Sequence, residues 1–131
     1  DVNDVIVKHL RLLKSGGRVV VIIHNFRGVN GLLLRLFQKN ILLLHNTHIM
    51  AIAEFARLFE DKKLKKQYCS YYGAFNFGLF GVRKGSPLRF LLRFCNILQA
   101  PMNMLFRLSI GDRAHSNGLF CPYLIYIGEK T

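Results

Sequence analysis

Residues 12–23 read Leu-Leu-Lys-Ser-Gly-Gly-Arg-Val-Val-Val-Ile-Ile, and this stretch decides the fold. The run from Val19 to Ile23 contains only β-branched residues, which predicts a strand buried on both faces of a parallel sheet. Apolar residues at helical spacing predict a helix over residues 2–13, and Gly16-Gly17 predicts the turn that ends it. Helix, turn and buried strand make half of a β-α-β unit, so we predict an α/β fold.

Three helices in the first half have candidate capping residues at their starts. Asn3 or Asp4 can cap the first helix, and Asn30 can cap a short second helix. Thr47 can cap a third helix over residues 49–60, whose predicted core face is Ile49, Ile52, Ala53, Ala56 and Phe59.

The second half of the chain combines basic, aromatic and helical stretches. A basic connector at residues 62–66 leads into a predicted strand over 67–72, and a loop rich in Gly and Phe follows. We expect Pro87 to begin a helix that Pro101 breaks. A last strand is predicted over residues 120–127.

Composition and charge exclude several classes of protein. The 131 residues include 19 Lys and Arg but only 7 Asp and Glu, which gives a formal charge of +12, and 51% of them are hydrophobic. This hydrophobic content excludes a disordered tail. So few carboxylates leave almost nothing for a paired-carboxylate glycosidase or an aspartic protease. The apolar runs are too short to predict a transmembrane helix.

The cysteines and the first residues bear on the cellular location of the protein and on whether the sequence is part of a longer chain. Cys69, Cys95 and Cys121 form no C-x-x-C motif, so we expect reduced thiols, no metal site and a cytoplasmic protein. The chain starts at Asp1 without an initiator Met or a signal-peptide pattern. We interpret it as a piece of a longer protein.

Several short motifs follow one another in a specific order. Leu-Leu-Lys-x-Gly-Gly at 12–17 precedes the valine-rich strand, and Asn25-Phe26-Arg27-Gly28 follows it. His45-Asn46, Tyr-Gly-Ala-Phe-Asn-Phe at 72–77 and Pro-Tyr-Leu-Ile-Tyr-Ile-Gly at 122–128 come next. Together these motifs span essentially the whole chain, and their order resembles the C-terminal half of a class I S-adenosylmethionine-dependent methyltransferase.

This resemblance implies a partial Rossmann-like sheet within a single methyltransferase domain. Residues 18–24, 67–72 and 120–127 would be the last three strands of its sheet, with the final strand antiparallel to the other two and between them. Helices would flank these strands. Residues from about 73 to 118 would form a helical insertion before the final strand, on the side where the acceptor substrate binds.

The resemblance also implies S-adenosylmethionine as the cofactor, bound mainly by an N-terminal half that is absent from this sequence. In that family a glycine-rich turn after the first strand and an acid at the end of the second hold the cofactor. This sequence has no G-x-G, and Gly16-Gly17 precedes a strand. We therefore predict no cofactor-binding residue here. The expected function is methyl transfer to an unidentified small-molecule acceptor, by a chain that is inactive alone.

The candidate substrate-side residues are His24, Asn25, Arg27, His45, Asn46, Tyr72, Phe75 and Asn76. Those at 24–27 follow a strand's carboxyl end, where open α/β sheets bind ligands, and His24 could act as a base. Alternatively, these side chains satisfy backbone groups of their own loop. The aromatic residues near Tyr72 could stack on an acceptor or belong to the core. His45 and His48 have metal-ligand spacing, but no carboxylate or thiol accompanies them, so capping and a place in the substrate-side loop are the favoured roles of His45-Asn46.

Two basic segments suggest further partners. Residues 86–108 are interpreted as a lid over the acceptor, with a polar stripe of Arg89, Arg93 and Asn96; contact with a membrane surface and ordinary packing are the alternatives. No nucleic-acid motif accompanies the lysines at 62–66, so specific nucleic-acid binding is not expected. The alternative to methyl transfer is a non-enzymatic basic module that binds an anionic membrane surface or nucleic acid.

Overall fold

The computed structural model describes residues 1–74, 76–77, 88–111 and 117–131. The described residues form five α-helices, three strands and a 3-10 turn at His48–Met50. In chain order the helices and strands are α1 (Val2–Arg11), β1 (Arg18–His24), α2 (Gly28–Phe37), α3 (Lys39–Leu43), α4 (Ile52–Arg57), β2 (Leu64–Tyr72), α5 (Leu88–Ile110) and β3 (Tyr123–Lys130). The fold is therefore a mixture of helices and a small sheet.

The three strands form one sheet in the order β1-β3-β2. β3 pairs antiparallel with β1 from Arg18 opposite Glu129 to His24 opposite Tyr123, and antiparallel with β2 on its other side. The final strand thus lies between the other two and antiparallel to both, as predicted for it. The wider prediction of a Rossmann-like sheet is not confirmed, because the described strands form only antiparallel pairs and an order without a parallel pair is not Rossmann-like.

The prediction that β1 is buried on both faces of a parallel sheet is wrong for this chain. Burial alternates along the strand: Val19, Val21 and Ile23 pack against the core, whereas Val20 and Ile22 are 56% and 53% exposed. Because successive side chains point to opposite faces of a strand, core packing on one face leaves the other face uncovered. Val20 and Ile22 therefore expose an apolar patch on β1, whereas Ile125 of β3, which lies opposite Ile22 on the same face, is buried.

The core lies on the inner face of the sheet and is centred on β3. Leu124 and Tyr126 are buried there with Phe55 and Phe59, and the rings of Phe59 and Tyr126 stack with their centroids 3.7 Å apart. The same cluster contains Leu34 of α2, Ile6 and Leu10 of α1, Phe26 and Met50. The central strand thus supplies the residues around which the helices pack.

The glycine turn joins α1 to the end of β3. Gly16 adopts a φ of +73°, the left-handed conformation expected after a helix. Its amide donates to the Lys130 carbonyl over 2.8 Å, and the Lys130 amide donates to the Gly17 carbonyl over 2.8 Å. The Lys130 ammonium donates to the carbonyls of Leu10 and Leu13 over 3.0 and 2.7 Å. A cation at these carbonyls stabilises the end of a helix.

All three predicted caps are corrected. Asp1 caps α1, because its carboxylate accepts from the Asn3 amide over 2.9 Å. Asn30 lies inside α2 and is buried, and Thr47 makes no capping hydrogen bond. The helix predicted over 49–60 is only Ile52–Arg57, preceded by the 3-10 turn. The predicted core residue Ala53 is exposed, and Phe55, which was not predicted to face the core, is buried instead. The larger aromatic side chain buries more apolar area.

Three boundaries in the second half also differ from the prediction. β2 begins at Leu64, so Lys65 and Lys66 belong to a strand, where their pairing with β3 replaces the predicted connector. α5 continues through Pro101, which is exposed; proline removes one helical hydrogen bond there without ending the helix. β3 is shifted by three residues from the predicted 120–127: it begins at Tyr123 and ends at Lys130, because Gly128, Glu129 and Lys130 pair with β1 or β2.

Candidate functional site

The candidate residues meet at the end of the sheet where β1 and β2 finish and β3 begins. Tyr123, the first residue of β3, lies opposite His24 on one side and opposite Tyr72 on the other. His24 and Tyr72 are the last residues of β1 and β2. The antiparallel register therefore places an imidazole and two phenols side by side at one edge of the fold.

An aromatic group is formed by His24, Phe26, His45 and Tyr123, and His24 is exposed within it. The imidazole of His24 stacks on the ring of Phe26 with centroids 5.3 Å apart, and lies 5.6 Å from the ring of Tyr123. His45 approaches the same Phe26 ring edge-on, with centroids 4.9 Å apart. The Nδ1 of His45 donates to the Ile41 carbonyl over 2.8 Å, because a carbonyl can only accept. In the neutral ring, Nε2 of His45 is then the acceptor nitrogen.

Partial burial, and then the nearby His45, lower the pKa of the His24 imidazole from its ordinary value. Both effects oppose protonation of His24. Burial removes water from the charged form of the ring, and positive charge on His45 repels positive charge on His24. His24 is therefore the neutral base at neutral pH, a form that can accept a proton.

Replacing His45 by Ala is expected to raise the pKa of His24 while leaving it below the ordinary histidine value. The charge of His45 disappears, but partial burial is the larger cause of the shift and remains. Following the Cε1–H resonance of His24 by NMR against pH measures this directly. An unchanged pKa in the His45→Ala protein would show that the two imidazoles do not interact.

Asn25, which lies between His24 and Phe26 in the chain, is completely buried. Its Nδ2 donates to the carbonyls of Gly118 and Cys121 over 3.0 and 2.8 Å, and its Oδ1 accepts from the Arg27 amide over 3.1 Å. Its backbone amide donates to the Pro122 carbonyl over 2.7 Å. Asn25 thus connects the loop after β1 to the loop before β3, and it positions the edge on which His24 lies.

Tyr123 links the aromatic group to the segment after β2. Asn76 donates from Nδ2 to the Tyr123 hydroxyl over 2.6 Å. The next residue, Phe77, donates its backbone amide to Oε1 of Gln99 in α5 over 2.8 Å. Hydrogen bonds through Asn76 and Phe77 therefore lead from the sheet edge to the long helix.

The remaining predicted residues have other neighbours. Arg27 lines a cavity of about 270 Å³ with Arg35, Thr47 and Phe26, so this cavity adjoins the aromatic group. Asn46 is exposed and accepts from the His48 amide over 3.1 Å, which stabilises the turn before the 3-10 segment. Arg89 and Arg93 lie on the exposed surface of α5. Phe75 is outside the described residues.

The structure therefore brings together four of the candidates, His24, His45, Tyr72 and Asn76, around two residues that were not predicted as site residues, Phe26 and Tyr123. Strand register is the signal that identifies Tyr123: pairing of the final strand between the other two puts its first residue beside their last residues. Phe26 carries no comparable sequence signal.

Neither a metal site among the described residues nor a similar protein was found that would assign a role to these residues. In the part of the chain that the structure describes, no three His, Cys, Asp or Glu side chains are grouped as metal ligands. Within the same residues, no helix has the length and apolar character required to cross a membrane. The sequence matches no family model, and searches of curated proteins and solved structures found no similar chain.

Proposed function

We propose that these residues form the second half of an S-adenosylmethionine-dependent methyltransferase domain and hold the acceptor substrate. The observation that carries the proposal is the strand order β1-β3-β2, with β3 antiparallel to both neighbours. This is the arrangement that the resemblance implies for the last three strands of the family's sheet. The thiols, none of which is in a disulfide, agree with a cytoplasmic location.

An N-terminal half would bind the cofactor. The only glycine pair before a strand, Gly16-Gly17, does not fit this role, because the Gly16 amide and the Gly17 carbonyl are paired with the backbone of Lys130. The exposed apolar face of Val20 and Ile22 supports a missing half that packs there, since an uncovered apolar face is stabilised by burial.

The residues at this end of the sheet supply a surface on which an acceptor can stack and a base that can take its proton. The rings of Phe26 and Tyr123 offer planar surfaces beside His24 on which an acceptor can stack, and a fixed acceptor reacts faster because its orientation costs no further entropy. His24, whose pKa is lowered, is neutral and takes the proton released when an acceptor hydroxyl or amine is methylated. Asn25 fixes the loop from which His24 acts.

We expect the 131-residue chain to show no binding of S-adenosylmethionine in calorimetric titration, because the turn and acid that hold the cofactor are not in this sequence. The protein encoded by the complete reading frame that contains these residues should bind it and transfer its methyl group. In that protein, His24→Gln should lower kcat by about a hundredfold, the usual contribution of a positioned base, with the cofactor Kd unchanged.

Two results would contradict the proposal. Micromolar binding of S-adenosylmethionine to the 131-residue chain would require a cofactor site among these residues. A complete protein that neither binds S-adenosylmethionine nor transfers its methyl group would remove methyl transfer as the function. His48→Gln is the matched control for His24→Gln, because His48 is exposed and its amide is engaged in a local turn with Asn46.

A further inference from the structure

Helix α5 turns a broad apolar surface toward solvent. Seven of its apolar side chains are between 53% and 81% exposed, and all of them except Leu91 lie on one side of the helix: Phe90, Phe94, Ile97, Met104, Leu105 and Leu108. At about 100° per residue these six fall within one arc of roughly 100° of the helix circumference. We call this set the α5 outer face. It extends over the length of a 23-residue helix.

The opposite side of α5 faces the rest of the molecule. The residues of this side, which are half-buried, are Leu92, Cys95, Gln99, Asn103 and Phe106. Gln99 accepts the Phe77 amide over 2.8 Å, and the ring of Phe106 lies edge-on to that of Phe120, with centroids 5.5 Å apart. These contacts fix which side of the helix points inward, so the outer face is directed away from the chain.

The charges on α5 all have one sign. Arg89, Arg93 and Arg107 are exposed and, at the same helical spacing, form a stripe along one flank of the outer face. Residues 88–110 contain no carboxylate. The sequence as a whole carries a formal charge of +12. The complementary partner of this surface is therefore apolar in its interior and anionic at its boundary.

We propose that α5 docks this protein on an anionic phospholipid membrane, with the outer face in the acyl region and the three arginines at the headgroups. A helix with an apolar face and basic residues beside it lies in the plane of the interface. α5 is not apolar enough to cross the bilayer. This inference does not depend on methyl transfer, since it uses only the exposure and charge of one helix.

A second copy of the chain fits this surface less well. Pairing two outer faces would bring the arginine stripes of both helices together, and neither helix has a carboxylate to pair with them. Like charges at such a contact destabilise it. Anionic headgroups neutralise these arginines, whereas a second α5 repels them.

The test is co-sedimentation of the 131-residue chain with vesicles. We expect binding to vesicles of equal parts phosphatidylglycerol and phosphatidylcholine, weaker binding at high salt, and little binding to pure phosphatidylcholine, because the arginines need anionic headgroups. Replacing both Arg89 and Arg93 by Gln should weaken binding about twenty-five-fold, at about fivefold for each charge.

The outer face is tested with a matched pair of double variants. Phe94→Ser with Leu105→Ser should weaken vesicle binding at least about tenfold, because two exposed apolar side chains no longer enter the acyl region. Leu12→Ser with Leu44→Ser is the control: these leucines are 84% and 83% exposed but lie outside α5. The control should change vesicle binding less than about twofold, since surface changes elsewhere do not touch the lipid.

A fluorescence measurement gives a second readout. The chain contains no Trp, so Phe90→Trp places a single reporter on the outer face and Leu12→Trp places one away from it. Anionic vesicles should shift only the Phe90→Trp emission to shorter wavelength, because that reporter leaves water. Equal shifts for both reporters, or equal loss of binding in both serine pairs, would overturn the assignment to α5.

Other outcomes would also overturn the proposal. Equal binding to anionic and neutral vesicles would show that the arginines are not engaged with headgroups. The chain could also bind no vesicles and sediment as a dimer. If Phe94→Ser with Leu105→Ser then dissociated that dimer, a second copy of the chain would be the occupant of the outer face. Methyl-transfer activity is a separate readout, so failure here leaves the proposed function untouched.

Discussion

Asn25→Ala is expected to lower the free energy of unfolding by about 3 kcal/mol, equivalent to roughly 12 °C in Tm for a domain of this size. Alanine removes the two donors to Gly118 and Cys121 and the acceptor for the Arg27 amide. These backbone groups are held near a completely buried side chain, and a buried polar group without a partner costs free energy. Urea denaturation monitored by circular dichroism measures the change.

Two variants complete this experiment. Asn25→Asp keeps the shape but places carboxylate oxygens against the two carbonyls, so it should be at least as destabilising as Asn25→Ala at neutral pH. Asn46→Ala is the control: Asn46 is exposed and accepts one hydrogen bond from the His48 amide, so the loss should be below about 1 kcal/mol. Equal stability of the Asn25→Ala and Asn46→Ala proteins would show that Asn25 does not hold the two loops together.

The second large effect is expected at the start of α2. Gly28 has a φ of +57°, and a Cβ there would lie 2.5 Å from the Leu119 carbonyl oxygen and 2.7 Å from the Leu119 Cα. Val29 donates its amide to the same carbonyl over 2.9 Å, so the loop cannot move away without losing this bond. Gly28→Ala should therefore lower the free energy of unfolding by about 3 kcal/mol, from left-handed strain and backbone overlap together.

Gly16→Ala separates these two contributions. Gly16 has a similar φ of +73°, but a Cβ there would have nothing within 4 Å. Its loss should be only about 1 kcal/mol, from the left-handed conformation alone. Thermal or urea unfolding of both variants gives the comparison. If Gly28→Ala costs no more than Gly16→Ala, the contact between α2 and the loop at Leu119 is looser than described.

The parts of the fold that follow from local sequence were predictable. The bounds of β1 and the left-handed glycine after α1 follow from a β-branched run and a Gly-Gly pair, both of which act on their immediate neighbours. Burial was not predictable in the same way. Val20 and Val21 are identical in type, and only the packing of helices against one face of the sheet distinguishes them.

The candidate site and the end of α1 are held by hydrogen bonds between residues that are distant in sequence, which the sequence alone could not predict. Asn25 bonds to carbonyls 93 and 96 residues away, and Lys130 to carbonyls 117 and 120 residues away. The sequence could mark Asn25 as polar and close to a strand end. It could not show that the side chain turns inward, because nothing near residues 117–121 indicates a partner. His24 was predictable as a strand-end residue, whereas its neighbours Phe26 and Tyr123 required the register.

The position of β3 between the other strands also matters during synthesis of the protein. β1 and β2 make their strand contacts through β3 and not with each other, yet β3 comprises Tyr123–Lys130, after both of them in the chain. While the ribosome is still translating the segment before Tyr123, neither earlier strand has its partner, and their backbone groups and apolar side chains remain available to other chains. The nascent chain is therefore expected to need chaperone protection until the last strand emerges.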